Sequence, residues 1–309
     1  MDIHVPHTFI IAISGGIDSM VLLHMIKHKS ELLPSYLRDT PHIVVAHIDH
    51  GIRPNSYRDR ECVHKVANQY GYEFEYIELE LGTNASEEEA RIKRYEFLDQ
   101  LQNKYHADAV VTAHHSDDVV ETAIINLTRG TGRKGLSSLK SIPGRSRPLL
   151  SLTKEEIIAY ANEHSVEWNE DETNQDLRYL RNRVRIKLQD ADQQWKDKFA
   201  TQLQKISESN DLIDTQIATL LQYRLKGKQV LSRTWFVKLD HSMACEFMVA
   251  FLKKSQVQNI DKKLVERLVV LLKAGRPGIQ IDIDADTCGM LTKRSLRLVD
   301  RKTRKTRIV

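Results

Sequence analysis

The sequence predicts an α/β protein: a parallel sheet with helices on both faces, then a helical region and a small α+β domain at the C-terminus. Three observations lead to this prediction. The first half of the chain alternates short apolar runs with helical patterns, which is typical of parallel sheets with crossover helices. After residue 150 the apolar residues follow helical spacing. Near the C-terminus alternation with period two appears, which indicates a β-hairpin.

Four strands and four helices are predicted in the first half. The strands cover residues 9–13, 43–48, 74–79 and 109–113. The helices start near Met20 and then cover residues 57–69, 86–105 and 117–128. Ser86 is the predicted N-cap of the third helix, because acidic residues occupy the favourable first turn that follows it.

The second half is predicted to be mostly helical. The helices cover residues 153–164, with Thr153 as N-cap, then 173–188, 195–225, 244–254 and 262–273. The break at residues 275–278 ends the helical pattern, and residues 279–284 and, after Gly289, residues 291–299 form the predicted hairpin. We therefore predict three parts: residues 1–190, a long linker helix at 191–225, and a small α+β domain at 226–309.

The composition excludes several classes of protein. The chain has 309 residues, 41% hydrophobic and 28% charged, and its apolar runs are all shorter than the roughly 18 residues of a membrane span. The N-terminus lacks a basic segment and a cleavage site, so we expect no membrane partner and a cytoplasmic protein. Cys62, Cys245 and Cys288 form no CxxC motif, which fits a reduced compartment and gives no support for a thiolate metal or iron–sulfur site.

The loop after the first strand has the composition of a phosphate-binding loop. Its six residues are Ser14, Gly15, Gly16, Ile17, Asp18 and Ser19. Glycines let backbone N–H groups approach an anion closely, and the serines add hydroxyl donors. The helix that follows presents free N–H groups and the positive end of its dipole. A glycine-rich turn without a ligand is the alternative, but the full SGGIDS pattern between a buried strand and a helix favours phosphate.

Asp18 is the unusual member of this loop, since a carboxylate repels phosphate. Its presence predicts a bridging Mg²⁺, which binds one or two carboxylates together with phosphate oxygens. The loop lacks the GK[ST] ending of a Walker loop.

Histidines and carboxylates follow two other predicted strands. His47, Asp49 and His50 come at the end of the second strand. His114, Asp118 and Glu121 follow the fourth, and the last two share one face of a predicted helix. These side chains, with His115 and Asp117, leave open a transition-metal cluster as an alternative. His115 and Asp117 are equally consistent with simple solvent exposure.

Five segments together resemble one family. They are SGGIDS (14–19), AHIDHGIRPNS (46–56), EEEARIKRYEFL (87–98), TAHHSDDVVETAIINLTRGTGRKGL (112–136) and EDETNQDLRYLRNRVRIKL (170–188). The first is similar to the loop of the N-type ATP pyrophosphatases, or PP-loop enzymes, whose sheet is Rossmann-like. In their order and length, all five resemble the tRNA(Ile)-lysidine synthetases, closely over the first ~190 residues and loosely beyond.

The resemblance implies a substrate set and a reaction. The partners would be ATP, Mg²⁺, L-lysine and a tRNA(Ile) with a CAU anticodon. The wobble cytidine would be adenylated with release of pyrophosphate, and the lysine ε-amine would then displace AMP. Residues 1–190 would be the catalytic domain, and the C-terminal domain would contact the tRNA.

The resemblance also implies roles for individual residues. The nucleotide would be bound by Ser14, Gly15, Gly16, Ile17, Asp18, Ser19, His47 and His114, with Asp18 as the metal ligand. The catalytic residues would be Asp118, Glu121, Arg91 and Arg94. Lysine and tRNA would be bound by Asp49, His50, Asp118, Glu121, Arg181, Arg183 and Arg185. Without the surrounding motif, Arg91 and Arg94 would instead be interpreted as part of a solvent-facing charge pattern.

Several alternatives stay open. A tRNA thiolase on the same loop would need cysteines for sulfur or a cluster, and a tRNA-binding protein with an inactive nucleotide site would use only the basic residues. The basic tail at residues 293–307 is a second predicted tRNA contact. The chain resembles a short form of the family with one C-terminal domain. The sequence does not decide between a monomer and a homodimer.

Overall fold

The computed structural model describes residues 7–39, 41–49, 51, 57–79, 87–169, 180–225 and 230–300. Within these limits the chain forms two compact units, residues 1–207 and 208–309. Ser86, Thr173 and Asn174, which the sequence predicts at helix starts, lie outside the described residues.

A five-stranded parallel sheet forms the centre of the first unit. Its strands are β1 (Thr8–Ala12), β2 (His42–Asp49), β3 (Glu73–Glu78), β4 (Ala109–Val111) and β5 (Arg145–Ser146). Their order is β3-β2-β1-β4-β5, and all four pairings are parallel. This confirms the predicted sheet. The short β5 was not predicted, because two residues carry no periodicity that a sequence pattern can show.

Helices cover both faces of this sheet, as predicted. They are α1 (Ile17–Lys27), α2 (Tyr57–Tyr70), α3 (Glu87–Lys104), α4 (Ser116–Thr128), α5 (Arg133–Leu136), α6 (Lys154–Glu163) and α7 (Leu180–Gln189). Successive strand side chains point to opposite faces. Ile11 of β1 therefore packs in one core with α1 and α6, while Ile10 packs in another with Leu98 of α3. The apolar run at residues 9–12 of β1 follows from this two-sided burial.

The start of α6 shows how local sequence sets an element's limits. Thr153 accepts a hydrogen bond from the Glu156 N–H at 3.2 Å, and Glu156 accepts one from the Thr153 N–H at 2.7 Å. This reciprocal capping box satisfies two N–H groups that the helix cannot pair itself. The predicted N-cap at Thr153 is confirmed.

The helix α8 (Gln193–Leu225) is the longest in the described chain, and the division into two units falls within it. Its first half packs on unit 1, where Leu203 lies with Val120 and Ala123 of α4. In unit 2, Ile217 and Leu221 of its second half pack in a separate core. The predicted three-part division, with residues 191–225 as a linker, stays a prediction.

Unit 2 contains a second sheet and three further helices. The elements are β6 (Val230–Ser232), α9 (Arg233–Phe236), α10 (His241–Lys254), α11 (Lys262–Ala274), β7 (Gln280–Asp282), β8 (Thr287–Leu291) and β9 (Ser295–Asp300). The sheet is antiparallel with the order β6-β9-β8-β7. Phe247 and Phe251 of α10 and Leu268 of α11 are buried with Leu296 of β9.

The predicted two-stranded hairpin was wrong in one respect, because the described chain forms four strands here. Gly289, which precedes the second predicted strand, lies inside β8 and pairs with both neighbouring strands. A Cβ at this position would lie 3.2 Å from Leu296 Cδ1 and 3.3 Å from Ile283 Cδ1. Glycine is therefore used for close packing within a strand, which a turn-based interpretation misses.

None of the helices in the described ranges combines the length and the apolar character needed to cross a lipid bilayer.

Candidate active site

The loop between β1 and α1 is held in shape by its two serines. The Ser14 N–H donates to Ser19 Oγ at 3.2 Å, and Ser19 Oγ donates to the Gly16 carbonyl at 2.9 Å. The Gly16 N–H lies 3.3 Å from Ser14 Oγ. Gly16 is the N-cap of α1 and has no side-chain cap, so the first N–H groups of the helix face the space above the loop. The predicted cradle thus has preorganised geometry.

Gly15 is required by backbone conformation and by space. Its φ is +93°, which L-residues rarely adopt, and an added Cβ would lie 3.3 Å from Asp59 Cβ. Its carbonyl accepts a hydrogen bond from the Asn169 N–H at 3.0 Å. Asn169 Nδ2 in turn donates to Asp59 Oδ1 at 2.8 Å. Segments distant in sequence thus fix the loop from two sides.

A cavity of about 730 Å³ opens above this loop. Its volume suits a nucleotide or another small ligand. Of the residues predicted to act in the site, it is lined by Ser14, Gly16, Ile17, Asp18, Glu121 and Arg185. It is also lined by residues to which the sequence analysis assigned no role, among them Asp59, Asp117, Lys154, Trp168, Asn169 and Lys196.

Asp18 lies in a network of charges at the wall of the cavity. Lys154 Nζ donates to Asp18 Oδ1 at 2.5 Å, and His115 Nε2 lies 3.8 Å from Asp18 Oδ2. Asp117 Oδ2 accepts the Lys154 backbone N–H at 2.9 Å and lies 3.4 Å from His115 Nδ1. A positive charge therefore already neutralises Asp18, as a metal ion would.

The interpretation of His115 and Asp117 as solvent-exposed was wrong. The His115 side chain is 5% exposed and that of Asp117 is 17% exposed. Burial alone would lower the pKa of His115, but Asp117, Asp118 and Asp18 outweigh it and raise this pKa above its ordinary value. Burial would raise the pKa of Asp117, yet His115 and the Lys154 N–H lower it to about 2. Both shifts favour the charged forms of these two groups.

Asp118 and Glu121 lie one turn apart on α4 and hold the same guanidinium. Arg185 Nε donates to Glu121 Oε1 at 2.7 Å and Nη2 donates to Oε2 at 3.0 Å. Arg185 Nη2 also lies 3.4 Å from Asp118 Oδ1. Such a two-point contact is a strong form of carboxylate pairing. The predicted helix face is confirmed, and the acidic pair is an internal cation site.

The two carboxylates are in different electrostatic environments. Burial raises the pKa of Glu121, and the opposing effect of Arg185 does not cancel it. Burial also acts to raise the pKa of Asp118, but His115 and His114 outweigh it, so this pKa lies below its ordinary value. Environments that push the pKa values of two neighbouring acids apart are typical of sites that need one charged group and one proton acceptor.

The three arginines of α7 that were predicted to bind RNA face different surroundings. Arg181 donates to Thr122 Oγ1 at 3.1 Å and lies 4.0 Å from Glu121 Oε2. Arg185 contacts the acidic pair, whereas Arg183 is exposed. Arg181 and Arg185 thus share a face, as four-residue spacing predicts, but this face contacts α4 in the present conformation.

Other predicted site residues do not line the cavity. His47 is buried, and its Nδ1–H donates to the Ile13 carbonyl oxygen at 2.9 Å. Burial lowers the pKa of His47. Asp49 accepts from the Gly51 N–H at 2.9 Å. His114 contacts Thr112 Oγ1 at 2.8 Å. His50 lies outside the described residues. The other three, His47, Asp49 and His114, form hydrogen bonds to neighbouring segments at the carboxyl ends of the strands.

Arg91 and Arg94 on α3 lie beside a different part of the sheet edge. The Arg91 guanidinium stacks on the Tyr95 ring at 5.3 Å. Arg94 lies close enough to His114 to help lower the pKa of that histidine, after burial itself, to about 4. These arginines are not among the residues that line the cavity around the SGGIDS loop.

The alternative of a transition-metal cluster at this edge is not supported. Across the ranges that the structure describes, the histidines and carboxylates after β2 and β4 do not form a set of three ligand atoms within 4.8 Å of one another. A hard cation fits better, because Mg²⁺ needs only one or two carboxylates when phosphate oxygens complete its shell. Asp18 is 32% exposed at the cavity wall and can supply one of these.

Several polar cavity residues escaped the sequence analysis. Lys154 is the first residue of α6, and Lys196 lies 4.0 Å from both Asp117 and Glu155. A lysine beside a capped helix start looks like an ordinary surface residue in the sequence. Only the packing of α6 beside α1 and of α8 against α4 in unit 1 brings these ammonium groups to the cavity, and no local pattern encodes this.

Acid sensitivity of the first unit follows from two partly buried histidines, His24 and His114. Burial, and then His28 and His164, lower the pKa of His24 to about 4, and the pKa of His114 also lies at about 4. Between pH 6.5 and 4 the unfolded chain binds protons on these groups and the folded chain does not. The free energy of unfolding contributed by each is therefore complete above about pH 6.5 and is lost as pH falls, with a limiting slope of about 1.4 kcal/mol per pH unit that solvent screening reduces, most for the half-exposed His24.

We expect His24→Phe to make the free energy of unfolding depend less on pH, because it removes the titrating group and keeps the ring contact with Tyr160. Urea unfolding of both proteins at pH 7, 6 and 5 measures it. Subtracting the unfolding free energies of the two proteins at each pH isolates the contribution of His24. Groups whose titration affects stability in the opposite direction cancel in this difference. An identical slope in the two proteins would contradict the lowered pKa.

Comparison with known proteins finds a family model and two curated relatives, which match different lengths of this chain. The family model of the PP-loop domain matches residues 3–191. A tRNA(Ile)-lysidine synthase of Thermotoga sp. (strain RQ2) is 38% identical over 188 residues, which are 58% of this chain and 44% of that protein. The tRNA(Ile)-lysidine synthase of Staphylococcus aureus (strain MW2) is 31% identical over 247 residues, 77% of this chain and 54% of that protein. The chain thus spans about half the length of these curated relatives.

Among solved structures, the U34-tRNA thiolase NcsA from Methanococcus maripaludis, described with its 4Fe-4S cluster, superposes with a TM-score of 0.52. The match covers 65% of this chain and 73% of that chain at 16% sequence identity. This likeness concerns the fold alone, and it agrees with the parallel sheet described above.

Proposed function

The chain belongs to the PP-loop family, and from this premise we propose that it is a tRNA(Ile)-lysidine synthetase. It would use ATP to adenylate the wobble cytidine of a tRNA(Ile) with a CAU anticodon and would then attach L-lysine to that base. The names of the relatives in Thermotoga and Staphylococcus support this reaction.

One observation carries the choice of lysine as co-substrate. Asp118 and Glu121 hold the Arg185 guanidinium, and Glu121 and Arg185 line the same cavity as the SGGIDS loop. A pair of carboxylates that binds an internal cation also suits the ammonium group of lysine. The family's phosphate-binding loop and a cation site thus share one cavity, which suits an amine attacking an adenylate.

The first chemical step joins the base to AMP. The cytidine O2 attacks the α-phosphate of ATP, and the bond from this phosphorus to the pyrophosphate oxygen breaks. The N–H groups at the start of α1 and the Ser14 and Ser19 hydroxyls would bind the leaving pyrophosphate. Lys154 and Lys196 are further cations of the cavity that would offset its charge.

In the second step the lysine ε-nitrogen attacks C2 of the base, and the C–O bond to AMP breaks. Only the neutral amine is nucleophilic, so a proton must leave it. Glu121, with its raised pKa, is the better proton acceptor, while Asp118 keeps its charge and holds the ammonium. Arg91 and Arg94 are proposed to act on the tRNA or the transferred phosphate from the neighbouring side.

Asp18 would hold a Mg²⁺, which would offset the negative charge of the phosphates. Lys154 now neutralises Asp18 and would shift its hydrogen bond toward a phosphate when the ion binds. The other proposed nucleotide contacts, His47 and His114, would act through the sheet edge that they support.

The RNA partner would be bound through basic side chains outside the cavity. Arg183 is exposed and is available for phosphate contacts, and Arg181 lies next to it on α7. The C-terminal unit is proposed as a second tRNA contact, together with the tail beyond residue 300, which lies outside the described residues. We also propose that the enzyme acts in the cytoplasm.

The decisive experiment measures pyrophosphate release from ATP with a tRNA(Ile) transcript and each amino acid in turn. We expect lysine alone to give a tRNA product heavier by one lysine minus one water, because the cytidine O2 leaves with AMP, with one AMP and one pyrophosphate per product. A sulfur-dependent product would indicate a thiolase, and tRNA binding without release would indicate a binding protein. Light scattering on the same sample decides between a monomer and a homodimer.

A further inference from the structure

Two neighbouring helices of unit 2 bring together a histidine, a cysteine and a glutamate. His241 and Cys245 are one turn apart on α10, so they share a face. Glu266 projects from α11, which packs beside α10 in the same core. Within the described chain, this is the set of three potential ligands whose atoms all lie within 4.8 Å of one another. It belongs to a different unit from the cavity described above.

The distances between these atoms match a metal site. Bonds of about 2.0 Å to nitrogen or oxygen and about 2.3 Å to sulfur, at tetrahedral angles, put ligand atoms roughly 3.3–3.6 Å apart. Cys245 Sγ lies 3.6 Å from His241 Nε2 and 3.9 Å from Glu266 Oε1. His241 Nε2 lies 2.9 Å from Glu266 Oε2. Shifts of a few tenths of an ångström would bring all three atoms onto one ion.

A simple ion pair explains only part of this geometry. His241 and Glu266 alone would form an ordinary pair, as His42 and Glu73 do at 2.8 Å without a cysteine beside them. The Cys245 thiol carries one proton and is a weak donor, yet its sulfur lies beside both members of the pair, 3.6 Å from His241 Nε2 and 3.9 Å from Glu266 Oε1. A cation accounts for the convergence of all three side chains, because thiolate, neutral imidazole and carboxylate all donate electron pairs to it.

We propose that His241, Cys245 and Glu266 bind one divalent transition-metal ion of the Zn²⁺ type. Nitrogen and sulfur ligands select such an ion over Mg²⁺ or Ca²⁺, and a thiolate with a carboxylate balances its charge. The side chains of His241 and Glu266 are 56% and 40% exposed, so solvent can fill the fourth position. The ion would link α10 to α11 and thereby stabilise unit 2.

The spacing of cysteines could not predict this site. The three cysteines of the chain form no CxxC motif, which is the usual signal of a thiolate site. Here a single thiolate is used, the histidine is four residues before it, and the third ligand comes from 21 residues downstream on another helix.

The experiment titrates the full chain with Zn²⁺ against a chromophoric zinc chelator, and separately with Co²⁺. We expect one Zn²⁺ per chain and a thiolate-to-cobalt charge-transfer absorption. Cys245→Ser should remove that absorption. His241→Asn, Cys245→Ser and Glu266→Gln should each weaken Zn²⁺ binding by at least about 100-fold, the upper end of what losing an outer-shell partner costs. Urea unfolding should show that Zn²⁺ stabilises the parent and not these variants.

Two matched controls test specificity. Cys62→Ser removes another free cysteine, and His42→Asn disrupts the ordinary His–Glu pair in unit 1. Both should bind Zn²⁺ as the parent does. Circular dichroism of the metal-free variants checks that they are folded. The proposal is overturned if the parent binds no stoichiometric Zn²⁺, or if Cys245→Ser and Glu266→Gln bind it unchanged. Neither result bears on lysine transfer, which belongs to the other unit.

Discussion

Replacing Asp118 by asparagine is expected to lower kcat/KM for lysine in the transfer step by about 100- to 1,000-fold while the chain stays folded. Loss of one member of a buried charged pair typically costs 2–5 kcal/mol of binding energy, which corresponds to such a factor. The Asp118 side chain is 11% exposed and carries a pKa below its ordinary value, so its charge is present at neutral pH.

The choice of asparagine separates charge from structure. Asp118 Oδ2 accepts the His115 N–H at 3.1 Å and so helps to cap α4. The amide oxygen of asparagine can accept the same hydrogen bond, whereas alanine cannot. A loss of lysine transfer in Asp118→Asn without a large fall in stability therefore reports the missing charge.

The measurement is a single turnover with labelled lysine on tRNA, beside a parallel measurement of pyrophosphate release. Asp108→Asn is the matched control. Asp108 accepts a hydrogen bond from the Thr8 N–H (3.0 Å) at the amino ends of β1 and β4, away from the loops that follow these strands. If Asp118→Asn transfers lysine at the parent rate, this carboxylate does not receive the amine and our assignment is wrong.

Removing Glu121 is expected to have the largest effect on stability. Glu121→Ala leaves the Arg185 guanidinium beside the mostly buried Asp118 without its two-point partner. Breaking a fully buried pair costs 3–5 kcal/mol. Because Arg185 is 34% exposed, water recovers part of this, and we expect about 2–3 kcal/mol. For unit 1 that corresponds to a fall in Tm of roughly 5–10 °C.

A double-mutant cycle with Arg185→Ala tests the cause. The double variant should lose less unfolding free energy than the two single variants lose together, because neither Glu121 nor Arg185 is left without its partner. Arg183→Ala is the control on the same helix, since Arg183 is exposed, and it should change stability by less than about 0.5 kcal/mol. Additive effects in the cycle would mean that Glu121 and Arg185 do not stabilise one another.

Much of the fold was predictable because its periodicities are local. The apolar runs that became β1, β2 and β4 are short and bounded by polar or glycine residues, and the N-cap of α6 is encoded within four residues. The predictions of secondary structure failed where the conformation of a residue depends on a contact with a distant part of the chain. Gly289 is a strand residue that admits Leu296 and Ile283, and two-residue β5 exists only because β4 offers it a partner.

The candidate site shows the same division. The sequence by itself determined the phosphate loop, because SGGIDS after a buried strand is a contiguous pattern with a direct chemical meaning. It also determined that Asp118 and Glu121 share a helix face. Only the tertiary structure decided what that face meets, since Arg185 reaches it from 64 residues away.

The same holds for the charges around Asp18 and for the ligands in unit 2. Lys154 contacts Asp18 across 136 residues, and Glu266 meets Cys245 from a second helix. Side chains on separate elements become neighbours through the packing of apolar faces, and no local spacing records which polar groups this packing brings together. The chemistry of the loop is therefore written in the sequence, whereas the cations and carboxylates around it are selected by the fold.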